Sequence, residues 1–121
     1  MSADSTSAFT RALGAFGAFA CGIAVALGAY AAHVADNVAQ HRMGLAALFL
    51  FAHGLASLAL APLARSRMQR IALLGLAIGV LLFSGSLTLA ALSGTSTFLA
   101  PFGGSLLIVC WLLCAAGILS G

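Results

Sequence analysis

The side chains able to do chemistry are few in this chain of 121 residues: three histidines, three cysteines, two aspartates, and five basic residues that are all arginine. His53 stands out by position. It falls in the middle of the apolar run 44–64, where an ionisable group is costly and by default points to function. A neutral imidazole offers one donor and one acceptor, so it needs a partner of each kind. Depth counting suggests some. At the helical rise, Ser84 stands about 20 Å up from Ile71, and His53 about 15 Å down from the opposite end of its own run. In an apolar core of about 30 Å these heights differ by about one turn. The spacing therefore predicts a hydrogen bond from His53 to Ser84 or Ser86. Such a bond reads first as a clamp between helices, contributing about 0.6–2 kcal/mol in a membrane, and second as a proton relay or ligand site.

The other candidates are weaker. His33 follows Tyr30 by one turn at the end of the first apolar run, a position suited to the membrane interface. His41 lies beside Arg42 in a polar stretch and reads as solvated. A haem between His33 and His53 would need both imidazoles on one iron, but the helical rise separates them by about 15 Å of depth, so a single chain does not hold one. Cys21, Cys110 and Cys114 all fall inside apolar runs and cannot form a secreted disulfide framework. Cys110 and Cys114 share a helix face. They could form a metal or redox pair, but read more simply as small, polarizable filler. Paired carboxylates, a nucleophile beside a base, phosphate-cradling glycines and zinc-ligand spacing are absent. No catalytic residue, cofactor or metal is expected.

The elements that must position these residues are four long apolar runs, approximately 12–33, 44–64, 71–92 and 103–120. Each is long enough to cross a bilayer core of about 30 Å as a helix. The composition agrees, at 63% hydrophobic and 6% charged. The expected fold is an all-α integral membrane bundle of four transmembrane helices in a single domain, 1–121. The net charge of +3 is a small surplus on loops and lacks the clustered basic face that nucleic acid requires. Arg11, Arg65, Arg67 and Arg70 fall on one side of the membrane and Arg42 on the other, so the positive-inside rule places both termini in the cytoplasm. Arg11, the apolar run after it and Ala29-Tyr30-Ala31 imitate a signal peptide. The run exceeds the usual core of about 7–15 residues and is read as a span. Residues 2–10 read as a loosely ordered tail. The outer loops are expected at 34–43 and 93–102.

Gly14, Ala18, Gly22 and Ala26 recur every four residues and make one smooth face, the kind that lets helix backbones approach closely in lipid, within the bundle or in an oligomer. Gly75 and Gly79 repeat the device in the third run. Pro62 lies near the inner end of the second, where a lost hydrogen bond costs little. Pro101-Phe102-Gly103-Gly104 marks a turn into the fourth run, with proline starting the helix and the glycines permitting a tight bend or close packing. Trp111 lies further down. No internal repeat is evident, so an inverted-repeat transporter architecture has no support.

Several of these segments carry a family likeness. Gly28-Ala29-Tyr30-Ala31-Ala32-His33, Ala52-His53-Gly54-Leu55-Ala56, Leu82-Phe83-Ser84-Gly85-Ser86-Leu87 and Ala100-Pro101-Phe102-Gly103-Gly104 with the later Trp111 resemble motifs of the YgdD/YwdK-like family of small inner-membrane proteins, domain of unknown function 423. The eukaryotic transmembrane protein 256 group is related to it. The resemblance covers all four spans and is closest from Leu81 onward. Before His53 the family usually carries Arg-Tyr-Gln-x-Tyr, where this chain has Leu48-Phe49-Leu50-Phe51-Ala52. The resemblance implies a four-helix protein of the inner (cytoplasmic) membrane and no particular activity.

Two function classes fit. The first is a small non-catalytic protein, a structural or accessory subunit of a larger membrane assembly, whose partners are membrane lipid and other subunits or further copies of itself. The second is a small oligomeric channel or transporter with a polar seam around His53. Ser84, Ser86 and Thr88 are spaced two apart and cannot share one helix face, which favours the first class. The candidate polar and structural positions are His53, Ser84, Gly85, Ser86, His33, Pro101, Gly103, Gly104 and Trp111.

Overall fold

A computed structural model describes residues 3–34 and 36–121, with side chains described from Thr6 onward. It contains four helices: α1 (Ala3–Ala31), α2 (Asn37–Leu60), α3 (Arg67–Ser93) and α4 (Ala100–Leu119). A single 3-10 turn, Ala61–Leu63, closes α2 around Pro62. All four helices are long and apolar enough to cross a membrane. Among the described residues there is no strand.

Helices α2 and α3 begin earlier than their apolar runs because polar residues outside those runs cap them. Asp36 caps α2, its carboxylate accepting from the Ala39 N–H at 2.8 Å. Ser66 and Gln69 form a capping box at the start of α3, each side chain satisfying a backbone N–H that the first turn leaves open. Gln69 Oε1 also accepts from the Arg65 N–H at 2.7 Å. Pro101 starts α4 in its first turn, where its missing N–H costs nothing. At the other end of α3, Gly94 takes a left-handed conformation with φ of 70° and terminates the helix.

Three expectations change as a result. Of the tail read over 2–10, Ser2 lies outside the described residues and the rest is helix, held there by Phe9, which packs against the core. The outer loop read over 34–43 shortens to 32–36, with Ala35 outside the described residues. His41 is exposed as expected but sits on α2, and Gln40 Nε2 fastens the end of α1 by donating to the Ala31 carbonyl at 3.1 Å.

Consecutive helices pack antiparallel in the order α1–α2–α3–α4. Half of the most apolar stretch of α3 is buried inside the protein and 39% of that of α2, against 22% for α1 and 28% for α4. So α2 and α3 form the centre, with α1 and α4 on the flanks. The interior is built from small residues such as Ala20, Ala24, Ala46 and Ala72, while Phe19, Leu48, Ile108 and Leu112 point outward. That distribution suits a lipid surround. Large apolar side chains gain nothing there by turning inward, and close backbone approach supplies the packing.

Two glycine pairs make the closest approaches. A Cβ on Gly17 would run into the Gly54 carbonyl oxygen, and one on Gly54 would lie 2.8 Å from the Gly17 oxygen. Gly79 and Gly103 relate in the same way across α3 and α4, at 3.2 Å and 2.8 Å. In both pairs each Cα–H therefore faces the partner's carbonyl, a weak hydrogen bond available only at this separation. Gly75 and Gly79 thus serve the internal bundle, and the Cys110 sulfur fills the hollow left by Gly75. Of the two uses open to the small-residue face of α1, the internal bundle is not the one it serves. The buried row is Leu13, Gly17, Ala20 and Ala24, whereas Ala18, Gly22 and Ala26 are exposed. The seam follows the position that meets Gly54, and one residue of phase turns a helix face by about 100°.

Candidate functional site

His53 is buried on the α2 face toward α3 and α4. Its Nδ1 lies 2.7 Å from the Phe49 carbonyl oxygen one turn back. Its Nε2 receives the indole N–H of Trp111, from α4, at 3.1 Å. These two contacts fix the tautomer. An indole N–H only donates, so Nε2 holds the lone pair, Nδ1 carries the proton, and Nδ1 donates to Phe49. The ring is neutral, and both nitrogens are engaged. The arrangement leaves no nitrogen free to take up a ligand or metal unless Trp111 moves.

Rings extend the site into a ladder through three helices. Phe49 stacks on His53 with centroids 5.9 Å apart and planes at 17°, as side chains four residues apart on a helix do. Phe49 also meets Phe83 of α3 at 4.5 Å, and His53 meets Trp111 at 5.8 Å and 55°. Phe83 in turn lies over Gly104, where a Cβ would be 3.8 Å from its ring. A Cβ on Gly103 would come within 2.5 Å of the Phe83 nitrogen. The two glycines therefore permit α4 to close on α3 at Phe83.

Ser84 does not bond to His53, which corrects the predicted pairing. Its hydroxyl donates to the Ala46 carbonyl of α2 at 2.9 Å, in a buried position. Ala46 is two turns from His53, about 10 Å at the helical rise. The depth count failed because α3 starts at Arg67 rather than Ile71, which lifts Ser84 by about a turn. Ser86 is buried on α3, but Phe49 and Trp111 already occupy the His53 nitrogens.

The structure thus brings His53, Trp111, Ser84, Gly103 and Gly104 into one seam between α2, α3 and α4, with Pro101 starting α4 above it. His33 is exposed in the turn after α1, its N–H donating to the Tyr30 carbonyl. Gly85 faces open space. Neither belongs to the seam. Cys110 and Cys114 are buried free thiols, and among the described residues no three His, Cys, Asp or Glu side chains are grouped to hold a metal.

Phe49, Phe83 and the Trp111–His53 bond were missing from the sequence reading. A signal for the last existed. Counted from 44 and 103, the starts of their apolar runs, His53 and Trp111 lie nine and eight residues down two helices that descend from the same side.

The segments forming this seam are also where likeness to known proteins lies. Residues 27–104 match the model of a family described as protein of unknown function (DUF423). The chain belongs to this family. It is also 31% identical over 101 residues to a UPF0382 membrane protein of Haemophilus influenzae, covering 77% of this chain and 82% of the relative. The matched region holds α2 and α3 whole and ends at Gly104, so it includes His53, Phe83, Ser84 and Gly103 but stops short of Trp111. No solved structure matches the chain. By family and by its four apolar helices, this is a small integral membrane protein.

Proposed function

We propose that this protein is a non-catalytic, structural or accessory subunit of a larger membrane assembly. It lies in the inner (cytoplasmic) membrane with both termini on the cytoplasmic side. The observation that carries this reading is the full engagement of His53, the histidine buried at membrane depth. A relay needs hydrogen-bond neighbours that themselves exchange protons, and a binding site needs a free donor or acceptor; a backbone carbonyl accepts only and an indole donates only. Here the donor goes to Phe49 and the acceptor to Trp111, and the neighbouring Ser84 hydroxyl goes to Ala46. The polar groups tie α3 and α4 to α2. They do not line a continuous path.

Docking is supported by the outward face of α1. Ala18, Gly22 and Ala26 are exposed, and Gly22 has open space beside it, so another helix can approach closely there. The four arginines Arg11, Arg65, Arg67 and Arg70 at one end support the orientation.

The test is extraction of the native protein in a mild detergent, native-gel separation, and mass spectrometry of the band. Migration with a large complex at fixed stoichiometry is the expected result. A lone monomer or small homo-oligomer would contradict it. The channel reading makes its own forecast: His53→Ala should alter proton or solute flux in sealed vesicles while the fold survives. The accessory reading expects no change in flux.

A further inference from the structure

An open apolar groove of about 250 Å³ runs between α1 and α3, lined by Phe9, Leu13 and Phe16 on one wall and Leu74, Ile78 and Leu81 on the other. Both walls rise from the same end of the bundle. Each spans about 10 Å at the helical rise. The groove wall on α3 continues toward that end into two arginines. Arg67, Arg70, Leu74, Ile78 and Leu81 are spaced three or four apart and so share one helix face. Arg70 lies one turn below Leu74 and Arg67 lies almost one turn further.

Arg70 is incompletely satisfied. Its Nη1 donates to the Arg65 carbonyl at 3.2 Å. Its Nε is buried with no hydrogen-bond partner, which is unfavourable for any buried donor and unusual for a guanidinium, whose donors match a phosphate or carboxylate as a fork. Asp36 caps α2 at the opposite end. We infer that the α1–α3 groove holds an acyl chain of an anionic phospholipid whose phosphate is received by Arg70 with help from Arg67. An apolar slot with two cations one and two turns below it on the same helix face has the chemistry of one acyl chain joined to one anionic headgroup. A zwitterionic lipid fits the slot equally but brings a compensating cation to the arginines. The inference stands apart from the accessory reading and holds whether or not the protein joins a complex.

Native mass spectrometry of the purified full chain tests it, with dioleoylphosphatidylglycerol and dioleoylphosphatidylcholine as probes of identical acyl chain. One retained phosphatidylglycerol is expected, favoured about fivefold over phosphatidylcholine from the attraction of one arginine near the surface, with the preference falling as salt rises. Arg70→Gln should abolish the preference, and the exposed Arg67→Gln should weaken it. Ile78→Trp fills the groove and should reduce retention of both lipids. Arg42→Gln, at the opposite end, should change nothing. Equal retention of the two lipids by the wild type would overturn the inference, as would a preference that survives Arg70→Gln or retention untouched by Ile78→Trp. Retention of glycerol phosphate alone would overturn the acyl-chain half.

Discussion

Trp111→Phe keeps a ring beside His53 and deletes one N–H. The consequence can be worked from the structure. His53 Nε2 accepts from Trp111 at 3.1 Å, and His53 is only 8% exposed, so water cannot replace the lost donor. Hydrogen bonds between transmembrane helices average about 0.6 kcal/mol and reach about 1.7. An acceptor left unpaired in a buried site adds a cost of about 1–3 kcal/mol where nothing else relaxes. The neutral imidazole can flip its tautomer but would then lose the 2.7 Å bond to Phe49, so relaxation is limited. Trp111→Phe should therefore destabilise the protein by about 1–2 kcal/mol, between the bare bond and the full desolvation cost. His53→Leu should cost a similar amount. The double variant should cost less than the sum, by a coupling of about 0.6–1.7 kcal/mol. Reversible unfolding of the four proteins in bicelles, followed by circular dichroism against denaturing detergent, measures this. A coupling indistinguishable from zero would refute the reasoning, because it would mean that the indole and the imidazole do not share a bond.

Other consequences follow from the backbone. Gly103→Ala places a Cβ 2.5 Å from the Phe83 nitrogen and should destabilise the fold by about 1–3 kcal/mol as an overpacked site. Gly22→Ala and Gly85→Ala meet nothing within 4 Å and should stabilise by about 0.5–1 kcal/mol through helix propensity. Thermal unfolding should therefore separate the three glycine variants by sign. Ser84→Ala removes the bond to Ala46 and should cost about 0.6 kcal/mol in the same unfolding assay. Cys110 and Cys114 are buried and should resist a membrane-permeant maleimide in the folded protein, reacting only when denaturing detergent opens the bundle.

The spans were legible because their length and lack of charge are dictated by the bilayer alone. Helix starts were less so, because hydropathy marks where apolar residues begin and not where caps act. The Ser66-x-x-Gln69 pattern was in plain view, yet it lies outside the apolar run. His53 was legible as a residue at membrane depth. Its partner was not, because counting from the first apolar residue misplaced Ser84 by about a turn and says nothing of rotation about the helix axis. Ser84 faces α2 near Ala46, while Trp111, at nearly the same counted depth as His53, faces it from α4. Which face of α1 is the internal seam was not legible, for the same reason of phase. Gly14, Ala18, Gly22 and Ala26 form as regular a row as Leu13, Gly17, Ala20 and Ala24, and only the presence of Gly54 opposite selects the second.

The central claim is that the histidine at membrane depth holds α2 to α4 and is not free for chemistry. Solid-state nitrogen NMR of the histidine- and tryptophan-labelled protein in bilayers tests it most directly. The structure predicts a neutral His53 with its proton on Nδ1, a bare Nε2, and a correlation between Nε2 and the Trp111 indole nitrogen. A His53 protonated on Nε2, or one with no correlation to Trp111, would contradict it and return the residue to the list of groups available for transport.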